Sequence, residues 1–146
     1  MARIKKDILV NVPLQQVFDV FYDFESIPKW MVGMEDVRNI SPGERGEGSS
    51  FEWTYNMMGI KFAGSSRIVS LDPPRKAVLE STGGIDSTWT WTYAAEGEGT
   101  RLTCDMEYTV PGSGLGKIAD RLVVERANAK SMEQSLANIK ALVEGG

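Results

Sequence analysis

The stretch Thr88-Trp89-Thr90-Trp91-Thr92-Tyr93 alternates small hydroxyls with large rings. A period of two puts the three rings on one side of a strand and the three threonines on the other. Threonine suits a solvated sheet face, so the rings are expected to point into a core. The pattern resumes after the turn Glu96-Gly97-Glu98-Gly99. There Leu102, Cys104, Met106, Tyr108 and Val110 alternate with Arg101, Thr103, Asp105, Glu107 and Thr109, and Pro111-Gly112-Ser113-Gly114 ends the strand. The rhythm then changes. Across residues 115–143, Leu115, Ile118, Leu122, Ala129, Met132, Leu136, Ile139 and Val143 step by threes and fours, which predicts one long amphipathic helix.

Upstream, Lys76 to Thr82 carries Ala77, Leu79 and Ser81 on one face and runs into Gly83-Gly84, a hairpin signal. Ile60 to Ser70 places Ile60, Phe62, Gly64, Ser66 and Ile68 together and is broken by Asp72-Pro73-Pro74-Arg75. Phe51, Trp53 and Tyr55 alternate with Glu52, Thr54 and Asn56 before the turn Met57-Met58-Gly59. Asp36 to Ile40 is a short strand, and residues 44–48 a polar turn. Residues 3–11 form a first strand. Pro13 suits the first turn of a helix, with Asn11 or Val12 at its cap, and Leu14, Val17, Phe18 and Phe21 share one face of that helix, which ends near Asp23. A second short helix is expected before Pro28, because the residue preceding proline resists helix. The order is one strand, one or two short helices, six strands and a long helix. This is an α+β fold, a curved seven-stranded antiparallel sheet wrapped around the C-terminal helix, in a single domain spanning 1–146.

Composition narrows the function. The chain has 146 residues, a formal net charge of −4, no histidine and one cysteine. Without histidine there is no Ser-His or Cys-His pair and no His-ligated metal. A lone Cys104 allows no internal disulfide or cysteine zinc cluster and fits a reducing, cytoplasmic setting. The acidic balance argues against nucleic acid as a partner. The longest apolar runs are far short of a membrane span, so stable membrane insertion is not expected. Gly112 to Lys117 imitates a phosphate loop, but Pro111 and Ile118 stand where that loop needs a glycine and a hydroxyl. Nothing calls for a metal or a cofactor.

Val10-Asn11-Val12-Pro13-Leu14-Gln15-Gln16-Val17-Phe18, Asp23 and Pro28-Lys29-Trp30 resemble the START-like superfamily, as does the run from Met132 to Lys140. This is the helix-grip fold of Bet v 1-like, polyketide cyclase/dehydrase and lipid-transport proteins (SRPBCC). The chain is most similar to the polyketide cyclase-like branch that includes coenzyme Q-binding proteins. The resemblance implies a deep apolar cavity between sheet and long helix that takes lipids, quinones or polyketides. Most such proteins carry a ligand, and some catalyse cyclisation or dehydration.

The residues themselves leave two readings of the interior open, a closed aromatic core or a cavity. Gly64 and Ser66 under-fill their inward face, and buried tyrosine and indole groups need hydrogen-bond partners. The candidate ligand-binding residues are Phe51, Trp53, Tyr55, Phe62, Leu79, Trp89, Trp91, Tyr93, Met106, Tyr108, Ile118, Leu122, Glu125 and Met132. Met57, Met58, Gly83, Gly84, Gly112 and Gly114 are expected at the rim, with Trp30, Met31 and Met34 either adding to it or packing on the core. Glu125 lies seven residues from both Ile118 and Met132, on the helix seam. It is either an anchor or general acid/base at the cavity wall, or a carboxylate paired with Arg121, Arg126 or Lys117, or one left at the edge as the helix drifts. The leading expectation is a carrier or sensor of a small hydrophobic molecule. The alternatives are a cofactor-independent cyclase or dehydratase using Glu125 with Tyr55, Tyr93 or Tyr108, and a protein-interaction module.

Overall fold

The computed structural model describes residues 2–41, 47–57, 59–83, 85–109 and 121–145. Strand β1 (Ala2–Val10) is followed by α1 (Leu14–Tyr22), a single 3-10 turn (Phe24–Ser26) and the short α2 (Ile27–Trp30). Then come β2 (Met34–Ser41), β3 (Ser50–Met57), β4 (Ile60–Asp72), β5 (Lys76–Thr82), β6 (Ser87–Glu96), β7 (Gly99–Tyr108) and α3 (Arg121–Gly145). The strands make one seven-stranded sheet in the order β1-β7-β6-β5-β4-β3-β2. Neighbours are antiparallel throughout. Register shifts in β2–β3 and β4–β5 mark bulges, which bend a sheet and increase its twist.

The N-terminal helices depart from expectation at both prolines. Pro13 itself occupies the N-cap of α1 in an extended conformation, with no side-chain cap. Pro28 sits inside the first turn of α2, where Ile27 is helical. A proline in the first turn forfeits no intrahelical bond, because that N–H has no partner there anyway, and this outweighs the bias against helix at the preceding residue. The long helix is described from Arg121. The expected start at 115, like Val110 and the glycine-rich stretch after it, lies outside the described residues.

Hydrogen bonds and ion pairs fasten α3 along its length. Near its middle, Ser135 Oγ accepts from Val32 N at 2.9 Å, and Asn138 Nδ2 donates to the Trp30 carbonyl at 3.0 Å, which ties α3 to α2. At its C-terminal end, Lys140 Nζ reaches the Leu9 carbonyl and Glu144, whose carboxylate accepts from Asn11 N at 2.8 Å. That backbone N–H holds the Glu144 carboxyl below its ordinary value, with Lys140 adding to the effect. Lys6 Nζ pairs with Glu133 at 2.7 Å.

Gly64 faces Trp53 across β3–β4. A Cβ there would lie 2.5 Å from the Thr82 carbonyl oxygen and 2.7 Å from the Trp53 ring. The space that glycine leaves is therefore filled by the indole and is not spare volume. Gly64→Ala is expected to destabilise the protein by about 1–3 kcal/mol through overpacking against backbone, measured as a lower denaturant midpoint with unchanged slope.

Candidate functional site: an uncharged aromatic cavity

The interior has a filled half and a hollow half. In the filled half, α1 lays Phe18 against Tyr93 at a centroid distance of 5.4 Å and Phe21 against Trp91 at 6.2 Å. Val17, Leu102 and Ile139 are buried there too, around a residual void far smaller than the space beyond Trp91. Beyond Trp91 the sheet and α3 stand apart, and a partly open cavity lies between them. Its empty space is about 1040 Å³ counted out through the mouth, and the centre of a water molecule can occupy about 90 Å³ of it. One water needs roughly 10–15 Å³ on that second measure, so the space is a binding-size cavity and not a packing defect.

The sheet wall carries Phe51, Trp53, Tyr55, Leu79, Trp89, Trp91, Met106 and Tyr108, all expected there from sequence, together with Met57. The helix wall carries Met132, also expected, together with Asn128, Ser131, Ser135 and Leu136. Phe21, Phe24, Ile27 and Trp30 close one side, and the half-buried Met31, Val32 and Met34 add apolar surface. Trp30 crosses Trp91 edge to face at 5.8 Å, and its Nε1 is buried without a hydrogen-bond partner among the described residues. Trp89 lies parallel to Trp91 at 6.1 Å.

Other expected residues lie elsewhere. Tyr93 belongs to the filled half, packed on Phe18 and Phe21. Phe62 sits opposite Tyr55 and packs on the core without lining the cavity. Glu125 is half-buried and does not line it either. The buried stripe of α3 passes beside it, through Val124 and Asn128. Seven residues fall about 20° short of two full turns, so a seam extrapolated in sevens slips off the buried face. At the expected rim, Met57 is buried in the wall, and Gly83 (φ +103°) packs beside Gly64 away from the cavity. Met58, Gly84, Gly112, Gly114, Ile118 and the Leu122 side chain lie outside the described residues.

Several polar groups in the wall are tied to one another. Trp53 Nε1 donates to Ser66 Oγ at 2.9 Å, and Ser66 Oγ lies 2.6 Å from Ser81 Oγ. Trp89 Nε1 donates to Ser87 Oγ at 2.9 Å. Asn128, 6% exposed, donates through Nδ2 to the Tyr108 hydroxyl at 3.0 Å. Sequence reasoning did not place Phe21, Phe24, Ile27, Val32, Ser81, Ile85, Ser87, Asn128, Ser131, Ser135 or Leu136 in the wall. The available signal for Asn128 was a run of small polar residues, Asn128, Ser131 and Ser135, at helical spacing beside the apolar stripe. Burial raises the Tyr55 phenol above its ordinary pKa, with the neighbouring Tyr108 adding to it, and burial drives Tyr93 and the Cys104 thiol well above theirs. No Asp, Glu, Lys or Arg is among the described lining residues.

Fold and cavity together define a helix-grip protein with an apolar internal chamber. A family model described as polyketide cyclase / dehydrase and lipid transport matches residues 1–144, and the chain belongs to that family. A search of curated sequences found no match. Among solved structures, the chain is similar to TTHA0849 of Thermus thermophilus (TM-score 0.80, 19% identity, covering 99% of this chain and 98% of that one). A START superfamily protein from Mycobacterium smegmatis superposes with TM-score 0.80 at 14% identity, covering 98% and 97% of the two chains. The ZhuI aromatase/cyclase from Streptomyces sp. R1128 does so with TM-score 0.78 at 17% identity, covering 98% and 93%. At these identities the likeness establishes the shared fold. Family and neighbours fit a hydrophobic ligand-binding or polyketide cyclase-type protein.

A charge placed in this wall has no counter-ion among the described lining residues. Asn128→Asp should therefore raise the pKa of the new carboxyl through burial. A raised folded-state pKa favours the protonated form, so the variant loses stability as pH rises through the normal carboxylate range and regains it on acidification. The expected deficit is about 1–3 kcal/mol at pH 7 and much less near pH 4, read from denaturation midpoints across pH.

Proposed function

We propose that this protein binds and carries a small, uncharged, largely aromatic or polycyclic molecule in the chamber between the sheet and α3. The observation that carries the reading is a wall of indole, phenyl and methionine surface, with no charged side chain among its described residues. Burying about 250 Å² of a three-ring ligand at about 25 cal/mol per Å² is worth about 6 kcal/mol before entropic costs. The wall's hydroxyl and amide groups would set orientation. An anion would have to shed its hydration without a compensating cation in that wall, which favours neutral ligands.

The wall also bears on the catalytic alternative. A general acid or base works best with a pKa near the working pH. Burial moves Tyr55 away from that range, and Glu125 does not line the chamber. These placements favour carriage over cyclisation or dehydration. Among the described residues no helix is long and apolar enough to cross a membrane, so any membrane-derived ligand would be taken up by a protein without a spanning helix in that part of the chain.

The neutral fluorophore N-phenyl-1-naphthylamine should bind with a blue shift. Ser131→Phe, which adds a ring on the helix wall, is expected to weaken binding at least tenfold while the protein stays folded. Glu125→Gln should leave affinity within about twofold. Probe binding that ignores the Ser131 substitution would remove the chamber as the binding site. Turnover of a polyketide analogue that Glu125→Gln abolishes would favour the enzyme.

A further inference from the structure

Ser66 and Ser81 face each other across β4–β5 on the inner side of the sheet, 6% and 5% exposed, and both line the chamber. Their oxygens are 2.6 Å apart, so one of the two hydroxyl protons lies between them. Ser66 also accepts the indole proton of Trp53 at 2.9 Å. Two hydroxyls carry two protons. If Ser66 donates to Ser81, the Ser81 proton is left over. If Ser81 donates to Ser66, the Ser66 proton is left over. Neither hydroxyl makes another hydrogen bond among the described residues. In both arrangements the pair holds one uncommitted O–H donor in an apolar wall. A buried donor without a partner is costly, and a ligand acceptor reaching it recovers that cost.

Resting on the carrier reading above, we propose that the Ser66–Ser81 pair is a polar subsite that donates one hydrogen bond to a carbonyl oxygen of the bound molecule. The ligand class is then an uncharged, planar, mostly apolar ketone or quinone. Its ring system would lie against the indoles of Trp53, Trp89 and Trp91, and its carbonyl would end at the serine pair. The Trp53 N–H polarises the pair, because a hydroxyl that accepts a hydrogen bond becomes a better donor.

The test uses fluorenone and fluorene, rigid three-ring probes that differ in a carbonyl against a methylene. In the wild-type protein the bound fluorenone carbonyl stretch should fall below its frequency in hexane. In Ser66→Ala/Ser81→Ala the affinity ratio of fluorenone to fluorene should drop about threefold to tenfold, and the stretch should return toward the hexane value. Ser81→Ala alone should retain the preference, because the Ser66 proton is then released toward the ligand. Should the double variant fail to fold because Trp53 N–H is orphaned, Trp53→Phe/Ser66→Ala/Ser81→Ala removes the donor as well and serves the same comparison. An unshifted carbonyl in the wild type, or a preference that survives loss of both hydroxyls, overturns the subsite while probe binding keeps the chamber. If neither probe nor N-phenyl-1-naphthylamine binds, the carrier reading falls and takes the subsite with it.

Discussion

The ring of Trp91 marks the boundary on which the architecture turns. It meets Phe21 at 6.2 Å, takes Trp30 edge-on at 5.8 Å and runs parallel to Trp89 at 6.1 Å. A single helix about 10–12 Å across cannot fill the concave face of a seven-stranded sheet. At one end α1 supplies the missing bulk with Phe18 and Phe21, and the core closes around Tyr93 and Leu102. At the other end the four-residue α2 contributes Trp30 at its terminus, and α3 presents Asn128, Ser131 and Ser135 beside Met132 and Leu136. The hollow therefore follows from unequal helical cover on the two ends of one sheet.

Keeping such a hollow requires side chains that do not collapse into it. Indoles are large enough to do so and would otherwise sample several rotamers. Here Trp53 is pinned by Ser66, Trp89 by Ser87, and Trp91 by neighbouring rings. Gly64 admits the Trp53 ring close against the strand, and the indole N–H reaches Ser66. Tyr108 is held by Asn128 from the opposite wall. A wall whose rotamers are fixed before a ligand arrives leaves less entropy to lose on binding.

The strands were legible in the sequence because a period of two is local. Trp89, Trp91 and Tyr93 announce an inner face whatever else the chain does, and the register pairing Trp89 with Met106 and Trp91 with Cys104 follows from the short turn after Glu96. The amphipathic helix was legible for the same reason. Which inward residues meet each other was not local. Tyr93 and Trp91 lie on one strand face two residues apart, yet one is sealed beneath α1 and the other borders the chamber. That difference depends on where α1 ends, which no strand pattern encodes. Asn128 was missed because a seam counted in sevens favours position 125, while the buried stripe enters through Val124 and Asn128. Gly64 was read as spare room because its occupant, Trp53, comes from the neighbouring strand.

Affinity and selectivity would come from different parts of this chamber. Apolar burial against rings and methionines is non-directional, so it rewards many hydrophobic guests about equally per unit area. Discrimination has to come from what the wall refuses to leave unpaired. On the reading proposed here, the described wall rejects charge because it offers none in return, and it favours an acceptor at Ser66–Ser81 because a donor there is otherwise idle. Both effects are penalties on the wrong guest as much as attractions to the right one. Such a chamber distinguishes ligands by one or two polar atoms while tolerating variation in their carbon skeletons. On the carrier reading, the polar term is large enough to set preference while apolar burial supplies most of the affinity.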